Sequence, residues 1–111
     1  MCPQHAWDRG QMKDESRWWD ATEVAHKISS GDVSSREMVD AAIERMEEGE
    51  PHLNALAMRW FDHGRDVADA APSGLFGGVP FLLKDLWVQY AGMGRTDGNT
   101  ALAANPPIST I

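Results

Sequence analysis

The chain has 111 residues, 42% of them hydrophobic and 24% charged, and seventeen acids against ten bases give a formal charge of −7. That length fits one small domain, and the acidic balance argues against nucleic-acid and anionic-membrane partners. The longest apolar stretch, Val79 to Leu83, is far short of the roughly 20 residues that a membrane-spanning helix needs. Cys2 is the single cysteine, so no internal disulfide can form, and no Cys/His metal spacing surrounds it. Met1-Cys2-Pro3-Gln4-His5 has neither the basic nor the apolar region of a secretory signal, so a cytoplasmic chain is expected.

Charge divides the sequence. Residues 1–70 hold fifteen acids and eight bases, whereas residues 71–111 hold two of each. The neutral part also carries six of the ten glycines and four of the six prolines. Residues 1–17 are polar and without period, which predicts a disordered arm. Asp20 then fits a helix N-cap with Glu23 three residues on, and Trp19 and Val24 occupy the positions of a hydrophobic staple. The expected helix is Ala21–Ser30, with Gly31 as its stop.

The same grammar repeats at once. Ser34 caps, Glu37 stands three residues on, and Val33 pairs with Met38. Met38, Val39, Ala42, Ile43 and Met46 form one apolar stripe on an expected helix Ser35–Glu48, ended by Gly49 and Pro51. Asp40, Glu44, Glu47 and Glu48 read as a solvated face, with an acidic docking patch as the alternative. Leu53–Trp60 alternates like a strand, Asp62–Ala71 reads as a weaker helix because Gly64 lies inside it, and Pro72-Ser73-Gly74 is a loop.

The chemistry concentrates in Gly77-Gly78-Val79-Pro80-Phe81-Leu82-Leu83-Lys84-Asp85-Leu86-Trp87-Val88. Its apolar residues fall on both parities, the pattern of a strand covered on both faces, with Lys84 near the end. In an extended chain Lys84 shares a face with Leu82 and Leu86, and Asp85 points the other way. A lysine among apolar neighbours without an acid partner loses its charge more readily, which makes a general-base candidate. The alternative is a lysine whose stem packs on Leu82 while its ammonium reaches water.

The block Gly77–Asp85 resembles the "G-(V/I)-P-(F/Y)-x-(L/V)-K-D" element of the amidase signature family. Asp20-Ala21-Thr22-Glu23 and Gly31…Val33-Ser34 are similar to that family's opening, Leu53-Asn54-Ala55 to its "(L/I)-N-A" strand, and Ala91-Gly92-Met93 to a later element. The resemblance runs from Trp18 to Leu102 in order and spacing. Members acting on short linear or cyclic amides carry similar blocks around the lysine. The resemblance implies an α/β fold, here the N-terminal helices and first strands of a mixed sheet that is incomplete, with residues 18–111 as the N-terminal part of an amidase domain. It also implies hydrolysis of carbon–nitrogen bonds by a Ser–cis-Ser–Lys triad, with Lys84 as the lysine, a small-molecule amide as substrate, and no metal or organic cofactor.

The sequence has no Gly/Ser-rich block of the kind that carries the family's two serines, and neither Ser73 nor Ser109 matches it. The expectation is therefore a truncated amidase domain, inactive on its own. The competing expectation is a small acidic α/β module whose helices dock a basic partner without catalysis. His5, His26, His52 and His63 lack ligand spacing, and Gly74, Gly77 and Gly78 complete no nucleotide-binding motif. Asp85 reads as an organiser of local backbone through capping or loop hydrogen bonds, Gly92 to Gly98 as a loop, and the five tryptophans as packing groups.

Overall fold

A computed structural model of the chain describes residues 7–86 and 88–104. It contains α1 (Arg9–Ser16), α2 (Ala21–Ser29), α3 (Ser35–Leu53), α4 (Phe61–Asp69) and a short 3-10 helix, Thr100–Ala104. The chain divides into two units, one ending at Pro80 and one beginning at Phe81.

The helix starts follow from their caps. Asp20 Oδ1 accepts the Glu23 amide at 2.8 Å, and Ser34 and Glu37 form a reciprocal capping box at the start of α3. At the end of α2 the Asp32 amide bonds to the Lys27 carbonyl at 3.0 Å and the Gly31 amide to Ile28 at 3.1 Å, the paired bonds of a Schellman stop. All four staple residues serve the core. Val24, Val33 and Met38 are buried with Met12 and Ala41, and Trp19 packs against them beside Trp7, Ile28 and Val79. Trp18 departs from the packing role expected of it: it is 78% exposed, with the Arg17 guanidinium 4.9 Å from its ring.

Residues 9–16 form α1 where the sequence predicts a disordered arm; the arm's first six residues lie outside the described ones. Three things order it. Asp8 and Gln11 make a capping box, Met12 and Ser16 are buried, and α3 supplies partners. Arg9 reaches Glu44 and Lys13 reaches Glu48, each at 2.6 Å. Arg45 of α3 donates to the Lys13 carbonyl and to Ser16 Oγ at the end of α1. Burial, and then the nearby Arg17 charge, pulls the Arg45 guanidinium below its ordinary range.

The same contacts redefine the acidic face of α3. Asp40 holds Arg36 at 3.2 Å and, from α4, Arg65 at 2.9 Å, while Arg36 also reaches Asp69 at 2.6 Å. Asp40, Glu44 and Glu48, three of the four acids expected on a solvated face, thus face bases of this chain itself. A cavity of about 560 Å³ borders Trp7, Arg9, Asp40, Glu44 and Arg65, so the Arg9–Glu44 and Arg65–Asp40 pairs form part of its wall.

The expected end of α3 at Glu48 is also corrected. Gly49 and Pro51 are accommodated, and the helix continues to Leu53, where Asn54 closes it with φ +47° and an amide bond to Glu50 at 2.8 Å. Pro51 lies in the last turn, so the intrahelical bond it cannot donate is lost close to where helical bonding ends anyway. Glu50 then turns its carboxylate to the Ala55 and Leu56 amides and to Arg59 at 3.2 Å.

Neither expected strand is present. Among the described residues, Leu53–Trp60 splits between the end of α3 and an irregular segment, and Val79–Lys84 has no regular structure. The reason is physical. A strand is defined by the neighbour that takes its amides and carbonyls, and no second strand is present to pair with either segment among the described residues. The N-terminal-helix part of the fold expectation stands, and its first-strand part is corrected.

Candidate active site

At the end of the first unit, the loop through Gly77 and Gly78 is held against α3. Ser35, the first residue of α3 and itself buried, donates its hydroxyl to the Gly78 carbonyl at 2.6 Å. Gly78 has φ +85°, and a Cβ there would lie 2.8 Å from Ser35 Oγ and 2.9 Å from Ser35 Cβ. A Cβ on Gly77 would lie 2.4 Å from the Pro72 carbonyl oxygen. Side-chain-free backbone at both positions is what lets the Gly-Gly-Val-Pro loop pass beneath the start of α3. Val79 then joins the helical core.

In the second unit, Phe81, Leu82 and Leu83 leave their side chains exposed, Phe81 to 83%. Lys84 is exposed as well, and among the described residues nothing lies within hydrogen-bond or ion-pair distance of its Nζ. The apolar walls expected around this amine are therefore not supplied by the described residues. Leu82 and Leu86, its expected face-mates, are 65% and 38% exposed; Trp87 lies outside the described residues.

Asp85 points elsewhere. Its Oδ1 accepts the Thr96 amide at 2.8 Å and the Asp97 amide at 3.3 Å, and its Oδ2 accepts the Thr96 hydroxyl. The Thr96 hydroxyl, then the Thr96 amide and the amides of Asp97 and Gly98, hold the Asp85 carboxyl below the usual carboxylate range against the opposing effect of burial. The organising role read from the sequence is thus given partners. The sequence did not identify Thr96, because nothing local links residues eleven apart in a loop. The Arg95 guanidinium meets Asp97 at 3.1 Å on the same loop.

Among the described residues, no three His, Cys, Asp or Glu side chains converge as a metal site requires. No described helix is long and apolar enough to cross a membrane. What the segment offers chemically is one accessible amine on an apolar strip, next to a carboxylate whose lone pairs are occupied.

No protein-family model matches the chain. Over 81 residues it is 40% identical to a 6-aminohexanoate-cyclic-dimer hydrolase of Pseudomonas sp. (strain NK87), a match covering 73% of this chain and 16% of that protein. Over 98 residues it is 33% identical to an acylamidase of Rhodococcus erythropolis, covering 79% of this chain and 20% of the relative. Among solved structures it is similar to a bacterial aryl acylamidase of the amidase signature enzymes, with TM-score 0.78 and 31% identity over 85% of this chain and 21% of that one. The chain therefore spans only about a sixth of the length of the hydrolase it matches.

Proposed function

We propose, from the premise that this chain belongs to the amidase signature family, that it is the lysine-bearing part of an enzyme hydrolysing the carbon–nitrogen bond of small amides. The family's fold is α/β, and the described part of this chain contributes helices to it. The observation that carries the reading is Lys84 itself: it stands at the lysine of the Gly77–Asp85 block, exposed on an apolar strip and free of any carboxylate partner among the described residues.

In this reading Lys84 takes the proton of a bridging serine, which activates a nucleophilic serine for attack on the amide carbonyl. The acyl-enzyme forms as the amine departs, and water then releases the acid. Both serines come from polypeptide outside the sequence described here, which has no Gly/Ser-rich block. The apolar walls that favour a neutral amine are not supplied by the described residues, so the amine acquires its role when apolar surface closes over Phe81 to Leu83 and desolvates it. The 111 residues alone then hydrolyse no amide.

Two measurements test this. Reading the coding DNA beyond codon 111 in all three frames should reveal a Gly/Ser-rich serine block. The same segment, exchanged for the matching 81 residues of the Pseudomonas hydrolase, should support turnover that Lys84→Ala abolishes. Turnover of an aryl amide by the isolated chain, or turnover in the exchanged enzyme that survives Lys84→Ala, would overturn the proposal.

A further inference from the structure

We propose that Asp85 is the positioning residue for Lys84, acting through a carboxylate bracket on the turn Thr96–Asn99. This rests on the reading of Lys84 as the base. The problem it answers is mechanical. Lys84 lies in a segment without regular hydrogen bonding, and its long side chain has no partner among the described residues. A base so placed needs its backbone held, because a misplacement of about 1 Å at a reacting group can cost on the order of 100-fold in rate.

Asp85 supplies the hold. Consecutive Cα atoms are about 3.8 Å apart, so fixing residue 85 fixes the root of residue 84. The turn that Asp85 grips is well defined: the Asn99 amide bonds to the Thr96 carbonyl at 2.8 Å, and Asp97 and Gly98 have φ of +49° and +74°. Both central residues left-handed is the geometry of a type I′ turn. The amides of Thr96 and Asp97 and the Thr96 hydroxyl converge on one carboxylate. Arg95 binds Asp97 at 3.1 Å, adding a cation to the same loop.

The bracket has a second effect. With its oxygens committed to the turn, Asp85 forms no ion pair with its neighbour, although it is the nearest acid along the chain. An acid turned toward Lys84 would favour the ammonium and oppose the base. One side chain thus holds the lysine's backbone and keeps a competing partner away from its amine.

The test has two arms. In the chain as it stands, NMR relaxation and amide exchange are measured for the wild type, Asp85→Ala and Asp85→Asn. Asp85→Ala should lose protection at the Thr96 and Asp97 amides and raise motion at the Lys84 amide, with α1–α4 unchanged; Asp85→Asn, which keeps an acceptor oxygen, should recover part of both. In the exchanged enzyme, Asp85→Ala should lower kcat by about 10- to 100-fold with KM little changed, and Thr96→Val, which frees Asp85 Oδ2 from the turn, should move the acid limb of the kcat–pH profile to higher pH, which a merely structural role would leave in place. Asp85→Ala with unaltered Lys84 dynamics overturns the bracket. Unaltered kcat in Asp85→Ala while Lys84→Ala is inactive overturns the positioning role and leaves the amidase reading standing. Full activity in Lys84→Ala removes the reading of Lys84 as the base and this inference together.

Discussion

Replacing Gly78 by alanine tests how the loop before the lysine is held. Two costs arise. Holding an L-residue at φ +85° costs about 1–2 kcal/mol, and a methyl 2.8 Å from Ser35 Oγ and 2.9 Å from Ser35 Cβ adds an overpacking cost of about 1–3 kcal/mol. The total, about 2–5 kcal/mol, is a large share of the 5–15 kcal/mol typical of a folded domain. Urea unfolding followed by far-ultraviolet circular dichroism should show the midpoint falling by about 1–3 M. Repeating the substitution in a Ser35→Gly background isolates the steric part, because Ser35→Gly removes both crowding atoms and leaves Ile28 Cδ1 at an ordinary 3.6 Å. There Gly78→Ala should cost only the backbone strain of about 1–2 kcal/mol. Equal costs in the two backgrounds would refute the account of the loop as wedged beneath α3.

Three further outcomes are expected. Asp20→Ala removes the acceptor of the Glu23 amide and should cost about 1 kcal/mol, read as a thermal midpoint about 4–8 °C lower, whereas Asp20→Asn should keep most of it. Met12→Ala should release α1 from α3, while Glu44→Gln should barely matter, because the Arg9 side chain is 87% exposed and exposed pairs contribute at most about 1 kcal/mol; hydrogen exchange across α1 separates the two. The bracket at Asp85 should be acid-labile. Its carboxyl titrates lower folded than unfolded, so its contribution is complete above the unfolded value near 4 and declines as pH falls through the folded one, seen as loss of Thr96 and Asp97 amide protection in acid. Protection that is constant down to pH values below the folded titration would contradict that sign.

What was legible in the sequence was local. Asp20 with Glu23, Ser34 with Glu37 and Gly31 act within a few residues, and their helices begin or end where those residues stand. The end of α3 was not legible, because Gly49 and Pro51 are breakers only on average and the left-handed Asn54 closes the helix beyond them. α1 carried its own capping box in Asp8 and Gln11, yet its polar sequence shows no period; its docking comes from Arg9–Glu44 and Arg45–Ser16, 35 and 29 residues apart. The strands could not be decided from alternation, since pairing is a property of two segments. Lys84 was singled out by the block around it, and Asp85 was read as an organiser of local backbone, a reading its bonds to Thr96 and Asp97 support. Its partner Thr96 was not legible.

The reach of the Asp85 bracket sets an order of assembly. Its partners are eleven and twelve residues away, and a loop of about ten residues closes in roughly 10–100 ns. In refolding, the carboxylate can therefore find its turn before contacts that span 29 to 43 residues, such as Arg45–Ser16 and Ser35–Gly78, have closed. The backbone root of Lys84 is then shaped by a local search rather than by the long-range packing of the helices.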